Sequence, residues 1–252
     1  MGGSSERFHT TCWTRIRSLK SLEQADRQQV AEDLIQQYWK PVYCYLRHKG
    51  HPNETAKDLT QDFFISVVLG RNLMEQADQH RGRFRTFLLT ALDRYVIDIH
   101  RKQTAGKRAP ISCQNHPELS ECLDLPIDTN RAGPEHAFHY AWAASLLDEV
   151  LKDLERTCLA GDKATHWQVF RARVLDPIMT GRAPANLETL CQQYHIESQV
   201  RASNMIITIK RRFRAMLEDR LRQSLDTDTD LEQELHEMIE ILSNPCAETQ
   251  CD

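Results

Sequence analysis

Residues 187–217 read LETLCQQYHIESQVRASNMIITIKRRFRAML, and this stretch decides the fold. Its apolar residues recur at helical spacing on both sides of a three-residue turn, Tyr194, His195 and Ile196. A short helix over 186–193 and a longer one over 197–221 give the spacing of a helix-turn-helix. Leu187, Leu190 and Cys191 are expected to pack inward with Ile196. In the second helix Ala202, Ile206, Ile209, Phe213 and Met216 or Leu217 share one face. Arg201, Asn204, Thr208 and Arg211 fall at steps of three, four and three on the other, where side chains reach base edges or phosphates in a major groove. Lys210, Arg212 and Arg214 flank them and suit the phosphate backbone. The turn holds no glycine, so His195 is the residue expected to take the left-handed conformation. A plain helical hairpin with a basic solvent face would carry the same spacing.

The rest of the chain agrees with an all-α reading. It has 252 residues, of which only nine are Gly and nine are Pro, too few turn formers for a sandwich or barrel. Hydrophobic residues make up 40%, enough for a core, and the longest apolar run, 63–69, is far too short to span a membrane. The opening MGGSSERF has no hydrophobic signal region, so a soluble, cytoplasmic protein is expected. Eight cysteines occur without a CxxC pair, and the one CxxH spacing, Cys113 to His116, has no second such pair beside it, which fits reduced thiols and leaves no complete zinc knuckle. Cys44 and Cys191 lie in apolar helical patterns and read as core residues.

Helical periodicity recurs over 21–48, 53–69, 84–103, 134–154 and 165–175. Pro41 is expected to kink the first of these or to begin a new helix. Leu59, Phe63 and Val67 form one stripe of the second, with Asp58, Gln61, Asp62 and Ile65 on another face. The third has Phe84, Phe87 or Leu88, Ala91, Tyr95 and Ile99 as its expected core stripe. Between 104 and 133 the pattern fails, and four prolines at 110, 117, 126 and 134 mark a linker. The fold expected is two small helical domains joined by a flexible linker, with an acidic C-terminal tail: 21–103, linker 104–133, 134–222 and tail 223–252.

Charge is unevenly spread. The net charge is −4, yet the last thirty residues hold nine acids and no Lys or Arg. Residues 81–108 hold eight bases against Asp93 and Asp98, and residues 201–222 hold seven against Glu218 and Asp219. An acidic stretch, 110–165, separates these islands. Two basic islands suggest two contacts with a polyanion, and two solvated helix faces are the simpler alternative.

Taken together, these residues resemble a family. YWKPVYCYLRHKGHPNETAKDLTQDFF (38–64) resembles the first part of region 2 of bacterial RNA polymerase sigma factors of the extracytoplasmic-function (ECF) type, and GRFRTFLLTALDRYVIDIHRK (82–102) resembles its promoter-melting part. PEHAFHYAWAASLLDEVL (134–151), VFRARVL (169–175) and the helix-turn-helix stretch resemble region 4. The resemblance runs from about residue 34 to 221, the linker excepted. The opening FHTTCW (8–13) is similar to the start of sigma-like proteins of large-genome environmental bacteria.

The resemblance implies a transcription initiation factor without catalytic chemistry, cofactor or metal. Asp58, Gln61 and Asp62 would dock on the β′ clamp helices of core RNA polymerase, and their i, i+3, i+4 spacing puts them on one helical face. Arg83 and Arg85, set among Phe84 and Phe87, would help hold separated promoter DNA. Arg94, Asp98, Arg101 and Lys102 would face the upstream minus-ten element. Region 4 would read the minus-thirty-five element and meet the β flap. A regulator such as an anti-sigma factor fits this reading, though no residue identifies one. The acidic tail lies outside the resemblance: it is either a solubilising tail or a segment that folds back on the basic helix in place of nucleic acid.

Two other readings stand beside this one. A helix-turn-helix repressor or activator that never binds polymerase would keep the same DNA face. A helical enzyme is suggested by eleven histidines, notably His136 and His139 after Glu135, but HExxH, G-x-S-x-G and a Walker loop are all absent.

Overall fold

In a computed structural model, residues 24–69, 83–105, 133–224 and 231–243 are described. Most of the expected linker, the 8–13 stretch and both ends of the tail lie outside them. The described residues are helical and contain no strand. Helix α1 covers Gln24–His48, α2 Asn53–Phe63, α3 Phe84–Ala105, α4 Pro134–Ala160, α5 Ala164–Phe170, α6 Asp176–Thr180, α7 Leu187–Gln193, α8 Gln199–Ser224 and α9 Leu231–Ser243. Wider π-type turns extend α2 over Phe64–Leu69 and join α5 to α6 over Arg171–Leu175.

Two compact units result, one from the chain up to Ser145 together with Arg220 onward, the other from Leu146–Asp219. The unit boundary therefore falls inside α4, not before it as the prolines of 110–134 suggest. The reason is packing: Phe138 stacks on Tyr38 at 6.3 Å between ring centroids, and Ala137, Ala141 and Trp142 are buried. The first turns of α4 thus complete the core of the first unit.

Tyr38 is the hub of that core, with Phe84 edge-on at 5.5 Å and Phe138 stacked against it. Leu34, Val42, Tyr45 and Leu46 continue the stripe along α1. Each buried aromatic or large aliphatic side chain contributes about 1.5–3 kcal/mol by leaving water. α1 continues through Pro41 as one helix, and Pro41 itself is buried. Gly50, at φ 90°, follows its end with a conformation that a side chain would strain. In α3 the core stripe is Phe84, Leu88, Leu89, Leu92 and Tyr95, with Phe87, Ala91 and Ile99 only half-buried. The helix is thus turned toward Leu92 relative to the expected phase, which also carries Arg85 inward.

The second unit is built on Leu154, Cys158, Trp167, Phe170 and Ile209, with Val169, Leu190, Ile196 and Ala202 beneath the helix-turn-helix. The Asn186 side chain caps α7 by accepting from Glu188 N–H at 3.1 Å. Ser198 Oγ accepts from Arg201 N–H at 3.2 Å and caps α8. The Arg173 guanidinium donates to the carbonyls of Ala185 at 2.6 Å and Pro184 at 3.2 Å, tying down the loop that enters α7.

His195 has φ 52°, the left-handed conformation expected of the glycine-free turn. Its side chain is exposed, so little packing repays that strain. His195→Gly should therefore stabilise the second unit by about 1 kcal/mol, and a β-branched residue there should destabilise it. Urea unfolding followed by circular dichroism reads both.

Candidate polymerase and nucleic-acid interfaces

The polar face of α2 is present as spaced. Asp58 and Asp62 are exposed and Gln61 is half-buried, with Ile65 50% exposed one turn further on. The opposite side is held by Ala56, Thr60 and Phe63, all fully buried, and the Thr60 hydroxyl is satisfied by the Ala56 carbonyl at 2.7 Å. Asp62 also serves the fold, because it accepts a hydrogen bond from the Tyr95 hydroxyl at 3.0 Å. Burial and this carboxylate push the Tyr95 phenol well above its ordinary range, so it stays a donor. Tyr95 packs on Phe63 at 5.4 Å, and the Asp62 carboxylate is thereby positioned by α3. Tyr45 makes a matching bond to Asp93, with Lys49 at 3.7 Å from the same carboxylate.

On α3, Arg94, Arg101 and Lys102 are exposed and Asp98 is half-buried. On α8, Arg201, Asn204, Lys210 and Arg211 are exposed, while Thr208 and Arg212 are half-buried. The face read from the spacing is therefore a solvent face. Two of its members already have partners: Arg201 pairs with Glu197 at 2.6 Å, and the Thr208 hydroxyl donates to the Asn204 carbonyl at 2.8 Å. An exposed ion pair such as Arg201–Glu197 is weak and exchanges readily for a phosphate.

Arg83 and Arg85 are placed differently. Arg85 is only 6% exposed, and its guanidinium lies over the Trp142 ring at 4.4 Å. Both arginines are engaged by α9. Arg83 Nε lies 2.7 Å from Glu234 and its Nη2 donates to Glu237 at 2.9 Å. Arg85 pairs with Glu234 through Nη1 and with Glu237 at 3.2 Å through Nη2. Leu231, Glu234 and Met238, at steps of three and four, are the buried residues of α9, and Glu234 is 1% exposed. Burial, with the like charge of Arg83, pushes Arg85 down to about 10, still charged at neutral pH. The hydrogen bond from Arg83 holds Glu237 below the usual carboxylate range. The acidic tail thus contains a helix docked by two carboxylates, a register that charge counting alone did not reveal.

Part of the chain is similar in sequence to known proteins. Residues 34–106 match the family model of Sigma-70 region 2. That segment takes in most of α1 and all of α2 and α3, the helices that carry the Asp58 face and the Arg94 face. The RNA polymerase sigma factor YlaC of Bacillus subtilis (strain 168) is 32% identical over 81 residues, covering 32% of this chain and 44% of that protein. The chain thus matches somewhat less than half the length of this curated relative. No solved structure matches.

His139, on α4, is the titratable neighbour of the arginine cluster. Burial, with the positive charges of Arg85, His136 and Arg83 and against the opposing charge of Glu237, pushes it down to about 4. A histidine held neutral in the folded state binds fewer protons than in the unfolded chain between pH 6.5 and about 4. Its contribution should therefore be complete above 6.5 and fall on acidification across that window, by up to about 3 kcal/mol. Urea midpoints measured against pH check this, and His139→Gln should flatten the decline.

Proposed function

We propose that this chain is a transcription initiation factor that binds core RNA polymerase and directs it to promoters, as a sigma factor of the ECF type. The observation that carries the reading is the Sigma-70 region 2 match over 34–106 together with the Asp58, Gln61 and Asp62 face that this segment presents. In this reading the face meets the β′ clamp helices, since carboxylates and an amide on one helical side suit a basic partner helix. Arg94, Asp98, Arg101 and Lys102 face the minus-ten element, and Arg83 and Arg85 belong to the segment that holds opened DNA.

The second unit supplies the other half. Arg201, Asn204, Thr208 and Arg211 read the minus-thirty-five element from α8, while Lys210 and Arg212 hold phosphates. The β flap is the proposed polymerase partner of this unit. The chain performs no catalytic step of its own in this scheme, acts in the cytoplasm, and is open to control by an anti-sigma factor. No helix among the described residues is long and apolar enough to cross a membrane.

Co-elution with purified core RNA polymerase tests the reading. The Asp62–Tyr95 hydrogen bond makes Asp62 a poor first choice for substitution, because its loss also disturbs the fold. Asp58→Ala with Gln61→Ala leaves that bond intact and should weaken core binding about tenfold or more with unchanged circular dichroism. Undiminished binding would sink the proposed docking face. A wild-type chain that fails to co-elute yet retards duplex DNA would leave only a helix-turn-helix regulator.

A further inference from the structure

The two arginines of the proposed promoter-melting segment are not free to meet a nucleic-acid backbone in this structure. Arg83 and Arg85 direct their guanidinium groups at the same two carboxylates, Glu234 and Glu237, one turn apart on α9. A guanidinium fork accepts a carboxylate or a phosphate with the same planar, two-pronged geometry. The two carboxylates therefore fill both guanidinium forks, the groups that would otherwise be offered to other anions. Arg85 also lies against Trp142, so its position does not depend on α9 alone.

α9 itself is lightly held. Its buried residues are Leu231, Glu234 and Met238, whereas Glu232, Gln233, His236, Ile239 and Glu240 are exposed. A 13-residue helix is marginal in isolation, so the docking contacts are what keep it formed. Ion pairs to Arg83 and Arg85 are prominent among those contacts, and such pairs can be exchanged for other anions of the same shape.

We propose that α9 is an internal competitor: Glu234 and Glu237 occupy an anion site formed by Arg83 and Arg85, and displacing α9 opens that site to the backbone of single-stranded DNA. The free chain is thereby kept at low affinity for DNA. This inference rests on the promoter-opening role proposed above for the arginine segment. It assigns the acidic tail a partner within the first unit, the Arg83 and Arg85 pair.

The test uses the full chain and a short fluorescein-labelled single-stranded DNA at low salt, read by anisotropy. Glu237→Gln, and Glu234→Gln with Glu237→Gln, should tighten binding about tenfold and steepen its salt dependence. The gain should vanish when Arg83→Ala is added, because the freed site then lacks its first fork. Unchanged affinity in a folded Glu237→Gln chain overturns the proposal, as does a gain that survives Arg83→Ala. Hydrogen exchange on the unaltered chain covers the case of variants that do not fold. Bound DNA should speed exchange of the 231–243 amides, and unchanged exchange with DNA bound overturns the proposal. Co-elution with core polymerase reads the underlying function separately. A chain that co-elutes but shows no α9 effect loses only the competitor, and one that shows the effect without co-eluting loses only the polymerase role.

Discussion

A guanidinium cannot be buried without a counter-charge, and Arg85 is buried. Moving an ion out of water costs several kcal/mol even after relaxation, and only close, well-formed pairing recovers it. Arg85 recovers it from the Trp142 face and from Glu234 and Glu237. That single requirement ties α3 to α4 and both to α9, and the Arg83–Glu237 bond beside it spans 154 residues of chain. It helps explain why the first turns of α4 belong to the first unit, and why an acidic tail holds an ordered helix. The neutral His139 beside the cluster follows in part from the same cause, since a further positive charge there would meet two guanidinium groups.

The proposed polymerase-facing side of the same unit rests on a different kind of contact. Phenol hydroxyls of Tyr45 and Tyr95, both deeply set, reach the carboxylates Asp93 and Asp62. Each bond gives the hydroxyl of a buried ring a partner and at the same time fixes a carboxylate nearer the surface. Asp58 sits on the same helical face as Asp62, one turn earlier and exposed. The face is thus anchored at one end and adaptable at the other, a combination suited to docking a partner helix.

In the second unit the decisive constraint is the turn between α7 and α8. Asn186 and Ser198 satisfy N–H groups at the two helix starts, and His195 accepts the left-handed backbone that the corner needs. Ile196 and Leu190 then close over Val169 and Ala202, which leaves Arg201, Asn204 and Arg211 on the open side.

Helix positions, the helix-turn-helix, its outward residues and the left-handed corner at His195 were legible in the amino-acid order. They depend on interactions within a few residues: periodicity, capping oxygens and backbone sterics. The α2 face was legible for the same reason, as a matter of spacing on one helix. The depth of Arg85, the choice of Leu92 over Ile99 for the core of α3, and the seat of α9 were not. Each depends on which distant surface supplies the neighbour, and a helical pattern with charged residues near its apolar stripe allows more than one rotation about the helix axis. Local order along the chain was enough to set the helical character of the described residues and the places of the basic and acidic segments. The meeting of the acidic segment with Arg83 and Arg85 arose only on folding, because pairing of buried charges is a property of packed surfaces and leaves no periodic trace along the chain.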